Sequence, residues 1–431
     1  MRLILTFAFK FKGLLILGLF FGILTFFAAQ LITKKYLVTS ERIGLTGRFQ
    51  PSTLPDFILE DIGDGLTQID ESGTTIPNLA SSWETSDKGK TWVFHLKEDL
   101  FWQDGKKLTS EKIKYNFYDV EVEYSDDMTI SFKLKDPFVP FPTAVTQPVF
   151  KKGLLGTGEW KVDKIIIRGE YIHQLTIKKG QERKIYKFYP TEDKTKLAFK
   201  LGDVDKIIQI FNPDPLQNWN TTKVEKNLVL DQNVTIFFNT KEGFSSEKQA
   251  RQALYYAIDK EKLAEDRSIG PLSPNSWAYN PQVKPYNYDP SRTKELIEDL
   301  PKEIKDNLPF KLVTTPLLLP VAEKIARDWE NVGIKTTVLV SSVVPSTYDG
   351  FLVIFDTPKD PDQYSLWHST QVETNISKYT NPRINKLLEE GRVELDREER
   401  KKIYLDFQRF LAEDAPSAFL YHPTWYTIER K

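Results

Sequence analysis

Cysteine is absent from all 431 residues of the chain. That excludes a disulfide framework, cysteine-ligated zinc or iron–sulfur centres, a cysteine nucleophile and a lipid-modified cysteine. Histidine is nearly as scarce. His95, His173, His368 and His422 lie far apart, none at the i, i+4 spacing of a helical metal site, so each reads as a surface or satisfied strand histidine. No one sign of charge dominates either, since 59 basic and 60 acidic side chains leave a net charge of −1. Such a balance gives no field to attract nucleic acid. The 153–158 stretch lacks the lysine–hydroxyl pair of a phosphate loop, and no serine sits in a G-x-S-x-G elbow. Asp126-Asp127 and Glu121 with Glu123 have nothing nearby to split their pKa values and read as a solvated strand edge. No enzyme and no cofactor emerges from these residues.

One long apolar run is present. Residues 13–33 carry no charge over 21 positions, enough for a helix of about 31 Å that would span a bilayer. Around residues 26–30 no pair of small residues marks a signal-peptidase cut, which favours an uncleaved anchor. Arg2, Lys10 and Lys12 before it against Lys34 and Lys35 after it lean toward a cytoplasmic N-terminus. The expected order is a cytoplasmic tail (1–12), a transmembrane anchor (13–33) and a polar tether (34–50).

Beyond the tether the pattern is first β-rich. Trp92, Phe94 and Leu96 alternate with polar residues, as do Ile130, Phe132 and Leu134, which predicts half-buried strands. After about residue 232 the pattern becomes α/β. A strand at 234–238 is followed by Ser246 and Gln249 at capping-box spacing, before a helix with Ala250, Ala253, Leu254, Ala257 and Ile258 inward. Strand 310–313, helix 321–329, Gly333 and strand 334–340 make a βαβ unit, hence a parallel pair. Asp396 caps a last long helix that Pro416 terminates. Aromatic residues make up 13% of the chain, which suits clefts as well as cores. Trp83, Trp92 and Trp102 fall in strand patterns and read as core, whereas Tyr364 and Trp367 follow Asp356, Asp360 and Asp362 and are cleft candidates.

Several stretches taken together resemble one family. Ile76-Pro77-Asn78-Leu79-Ala80-Ser81-Ser82-Trp83 leads into Trp92-Val93-Phe94-His95-Leu96 and then Trp102-Gln103-Asp104-Gly105. Gly156-Thr157-Gly158, Arg251-Gln252-Ala253-Leu254 with Ala257-Ile258-Asp259-Lys260, Pro285-Tyr286-Asn287-Tyr288-Asp289-Pro290 and Asp360-Pro361-Asp362-Gln363-Tyr364 follow in order. These resemble the extracytoplasmic solute-binding proteins of peptide-type ABC importers, solute-binding protein family 5, over residues 54–423. The resemblance implies an α/β, two-lobed periplasmic-binding-protein-like clamp of type II with an extra β-rich subdomain on the first lobe, here preceded by one transmembrane helix. Lobe I would be residues 51–232 with its subdomain at about 67–150, lobe II 233–415, and 416–431 a return toward lobe I.

The implied function is a monomeric, membrane-anchored receptor outside the cytoplasm that encloses a peptide and delivers it to the permease and ATPase subunits of an importer. In the family an acid just ahead of the Asp-Pro pair holds the peptide's amine. Here Thr357 stands at that place, which leaves Asp356 as first and Asp360 as second candidate. Tyr364 and Trp367, with Pro55 and Phe57 from the first lobe, complete the expected ligand-binding set. The segment between Phe117 and Val122 is shorter than in relatives, and the chain stops soon after Tyr421-His422-Pro423, where relatives run on. The same clamp serves nickel chelates, sugars or haem elsewhere in the family, and a surface sensor or adhesion module without transport is a further alternative.

Overall fold

The computed structural model describes residues 39–431, together with Gly13, Gly18, residues 20–23, Thr25 and Phe26. The expected tail and most of the expected anchor therefore lie outside the described residues. Among the described residues no helix is long and apolar enough to cross a membrane. The tether expectation is corrected in part. Strand Thr39–Thr46 occupies its middle, with Ile43 and Leu45 buried. Arg42 and Glu41 gave that segment its polar look, but they lie half-buried within the strand and pair with Asp205 and Lys206.

The chain divides into two compact units. The first comprises the described residues up to Leu54 and Glu159–Ile207. Strand Thr39–Thr46 pairs in parallel with Glu182–Tyr189, which continues antiparallel into Tyr171–Lys179 and Lys161–Arg168. The last three form an antiparallel meander. Gly44 is closely packed there: a Cβ would meet side-chain methyls of Ile207 at 3.0 Å, Val204 at 3.1 Å and, from helix Glu192–Lys200, Thr195 at 3.3 Å, so these neighbours would have to give way.

The second unit comprises Pro55–Gly158 and Ile208–Lys431. Its β-rich part is a four-stranded antiparallel sheet in the order Ala80–Glu84, Thr91–Leu96, Thr129–Leu134, Val120–Asp126. Trp92, Phe94, Ile130 and Phe132 fill one face, each contributing about 1.5–3 kcal/mol of burial. Glu121 and Glu123 lie outward on the edge strand.

The α/β part carries a five-stranded sheet ordered Thr336–Val340, Phe310–Thr314, Gly350–Asp356, Gln232–Phe238, Ser417–Tyr421. Phe310–Thr314 and Thr336–Val340 are parallel and joined by helix Leu319–Glu330, as the βαβ reading requires. Ser246 and Gln249 do not form a capping box. The helix begins at Lys248 with Glu247 as its N-cap; the Ser246 hydroxyl donates to Gly243 O and Gln249 reaches Leu296 O. The inward face is as expected: Ala250, Ala253, Leu254, Ala257 and Ile258 are all buried. Arg251 is buried with them because its guanidinium closes the end of the last long helix, donating to the carbonyls of Asp414 and Ala415. That helix, Arg397–Asp414, is capped by Asp396 and ends with Ala415 in the left-handed region.

Strand Ser417–Tyr421, within the expected return segment 416–431, pairs antiparallel with Gln232–Phe238 in the α/β sheet. Residues 55–158, which hold the expected first-lobe subdomain, are grouped with 208–431. Hydrogen bonds from Val139 N to Arg392 O at 2.8 Å and from Arg397 to Thr74 at 2.9 Å tie these parts together.

Candidate functional site

Within the second unit, two cavities adjoin at the tip of a small hairpin. Strands Thr67–Ile69 and Thr75–Pro77 pair antiparallel, and the turn between them is held by Asp70. Its Oδ1 accepts from Ser72 N, Ser72 Oγ and Thr74 N, which keeps the carboxyl below its ordinary value. Gly73, at φ +73°, lets the turn close and lines both cavities.

The first cavity, about 350 Å³, lies between this turn and the segments around Asp231, Ser273 and Lys359. Asp231 precedes strand Gln232–Phe238. Its carboxylate accepts from Lys359 Nζ at 2.5 Å and from Ser273 Oγ at 2.7 Å. Burial pushes its pKa up, but the Lys359 ammonium and the Ser273 hydroxyl outweigh that, and the net shift is downward. The backbone of Asp231 is fixed as well: Thr357 N and Thr357 Oγ1 both donate to its carbonyl, at 2.8 and 2.9 Å. Asp70 and Glu71 add further negative charge to the lining. On helix Asp56–Ile62, the Glu60 carboxyl is raised by burial and by Asp56, against the pull of Lys359.

The second cavity, about 240 Å³, is walled by Trp83, Trp92 and Trp277, with Asp360, Arg397 and Arg400 supplying charge. Asp360 is held by Arg400 through two bonds, at 2.6 and 2.8 Å. Arg400 also donates to Gly391 O at 2.7 Å, so its position is fixed on three sides.

The structure separates the residues singled out from sequence. Asp360 lines the second cavity, already paired. Asp356 ends its strand exposed, accepts from Gln232 Nε2 at 2.7 Å, and lines neither cavity. Tyr364 stacks on His368 at 4.0 Å between ring centroids, with the Arg392 guanidinium 3.9 Å from its ring. Trp367 is not a cleft residue. It is 0% exposed, packs on Phe237 and Phe419, and donates to Gln363 Oε1 at 2.7 Å. Tyr364–Trp367 is a short helix, which turns that indole into the core. Pro55 caps helix Asp56–Ile62, and Phe57 is half-buried on it; neither lines the two cavities. Asp231, Lys359, Trp277 and Arg397 were missed. They sit in turns and at a helix start, where no periodicity distinguishes a cavity wall from an ordinary surface. Among the described residues no cluster of three histidine or acidic side chains could hold a metal.

Comparison with known proteins decides the family. The sequence model of the bacterial extracellular solute-binding proteins, family 5 Middle, matches residues 74–350. The chain belongs to this family. As a family 5 solute-binding protein it is a binder, not an enzyme, and its binding domain is extracytoplasmic, in agreement with the ABC-importer family that its motifs resemble. It is 24% identical to di/tripeptide-binding protein 1 of Pseudomonas aeruginosa, covering 87% of this chain and 86% of the relative. Among solved structures, NikZ from Campylobacter jejuni in complex with Ni(L-His) matches with a TM-score of 0.75 at 23% identity, over 91% of this chain and 94% of that one. The oligopeptide-binding protein AppA from Bacillus subtilis, in complex with a nonapeptide, matches with a TM-score of 0.72 at 20% identity, over 91% and 95%. The mixed α/β fold is that of family 5 solute-binding proteins.

Proposed function

We propose that this protein binds short peptides and presents them to an ABC importer permease, with the first cavity taking the peptide's amino end. The acid-lined wall around Asp231 carries the reading. Three carboxylates, Asp70, Glu71 and Asp231, face one ammonium, Lys359, so the cavity favours a cation. Thr357, which stands where family resemblance expects the amine-holding acid, fixes the backbone of Asp231. The acid is thus supplied from the neighbouring strand. Asp360 has both oxygens taken by Arg400, and Asp356 lines neither cavity, which makes both less suited to the role. Tyr364, Phe57 and Pro55 remain proposed as ligand-facing groups, and residues 13–33 as the membrane anchor. The curated relative from Pseudomonas supports a peptide of two or three residues.

Calorimetry of the detergent-solubilised full chain tests this. Di- and tripeptides should bind saturably, and N-acetylation or Asp231→Asn should weaken them by about tenfold or more. Indifference to both changes would remove the amine-site assignment. Because the Campylobacter relative carries Ni(L-His), nickel with histidine is the competing ligand, and its tight binding in place of any peptide would replace this reading.

A further inference from the structure

The two cavities that share Gly73 have opposite charge. In the second, Arg400 is spent on Asp360 and Gly391, and that ion pair is neutral. Arg397 is not spent. It is exposed at the start of helix Arg397–Asp414 and gives one hydrogen bond, to Thr74 Oγ1 at 2.9 Å. Its guanidinium lies 5.1 Å from the Trp277 ring centroid, and it forms no ion pair among the described residues. Asp70 feels its charge, but the Asp70 carboxylate is occupied by Ser72 and Thr74. A guanidinium has five N–H donors, so most of those of Arg397 are available to a ligand. The cavity therefore offers one spare positive charge beside three flat indole walls, in a space of about 240 Å³.

We propose that this cavity is a specificity pocket for an acidic side chain, aspartate or glutamate, of the bound peptide, with Arg397 as its counter-charge. The proposal rests on the peptide reading above and deepens it. A planar guanidinium matches a carboxylate with two parallel hydrogen bonds, a geometry that a neutral amide cannot satisfy equally. The indole walls offer flat apolar surface to the methylenes of the side chain, while Trp277 orients the guanidinium through its ring face. The acidic first cavity rejects a second carboxylate, so an acidic side chain is steered to the Arg397 side of the hairpin tip.

The test is calorimetry of the full chain with tripeptides of alanine that carry glutamate or glutamine at each position in turn. At one position at least, glutamate should bind about tenfold tighter than glutamine, and Arg397→Gln should bring that ratio to about one. Arg397→Lys, which keeps the charge but loses the fork, should retain only part of the preference, and thermal melts confirm that both variants fold. Equal affinities for glutamate and glutamine at every position, with the alanine peptides bound, overturn the pocket and leave the peptide reading standing. So does a glutamate preference that survives Arg397→Gln. Absence of binding by every peptide overturns both.

Discussion

Asp360 and Arg400 meet through two hydrogen bonds, at 2.6 and 2.8 Å, with side chains only 14% and 6% exposed. The pair joins the loop after the α/β sheet to the last long helix, at the floor of the indole-walled cavity. Its members come from positions 40 apart in sequence, and the acid belongs to the Asp-Pro motif that the family resemblance is built on.

Removing one partner leaves a nearly buried charge without its counter-ion. Arg400→Met is expected to destabilise the protein by about 3–5 kcal/mol in chemical denaturation. Combining it with Asp360→Leu should recover a good part of that loss, because an apolar pair has no ion to desolvate. A double variant as unstable as the sum of the singles would contradict this account.

The glycine–threonine–glycine turn is a packing device. A Cβ on Gly156 would lie 2.2 Å from Ile62 O and 2.9 Å from Gly63 Cα, both backbone atoms that cannot swing away. Gly156→Ala is expected to cost about 2–4 kcal/mol. Gly105→Ala, at φ +78° with open space around it, should cost only about 1 kcal/mol. Denaturant melts of the two variants side by side check the contrast.

Asp231 predicts a pH dependence. Its folded pKa lies below the unfolded value because Lys359 and Ser273 outweigh burial. The resulting stabilisation is therefore fully present above the ordinary carboxylate range near pH 4, and is lost as pH falls through the lower folded value. The difference in melting temperature between the parent and Asp231→Asn should be constant near neutrality and shrink below about pH 4. A difference that stays constant into acid would show that the carboxylate is not charged in the folded pair.

Two tryptophans should report ligand differently. Trp277 lines the second cavity, whereas Trp367 is 0% exposed and packed among core rings. Ligand-induced changes in tryptophan emission should fall markedly in Trp277→Phe and persist in Trp367→Phe.

Much of the fold was legible from local pattern. Alternation at Trp92, Phe94 and Leu96, helical spacing at Ala250, Ala253 and Leu254, and the cap at Asp396 all appear in the structure where chemistry along a few residues demands them. Ser246 shows the limit of such reading. A serine three residues before a glutamine has the right spacing, yet Gly243 O and Leu296 O offered those side chains other partners. Trp367 shows it again, since one short helical turn decides whether an indole faces solvent or core.

The sequence alone determined the residue classes the protein could use. Without cysteine it was left to hold itself by packing and ion pairs, its near-zero net charge offered no polyanion a field, and its ordered motifs pointed to family 5. Tertiary structure decided which charges are spent and which are available. Asp360 and Arg400 cancel each other, while Asp231, at a strand start, and Arg397, at a helix start, come to line adjoining cavities from positions 166 residues apart. A charge's partner is set by distances of 3 or 4 Å in space, and nothing in the spacing along the chain encodes those distances.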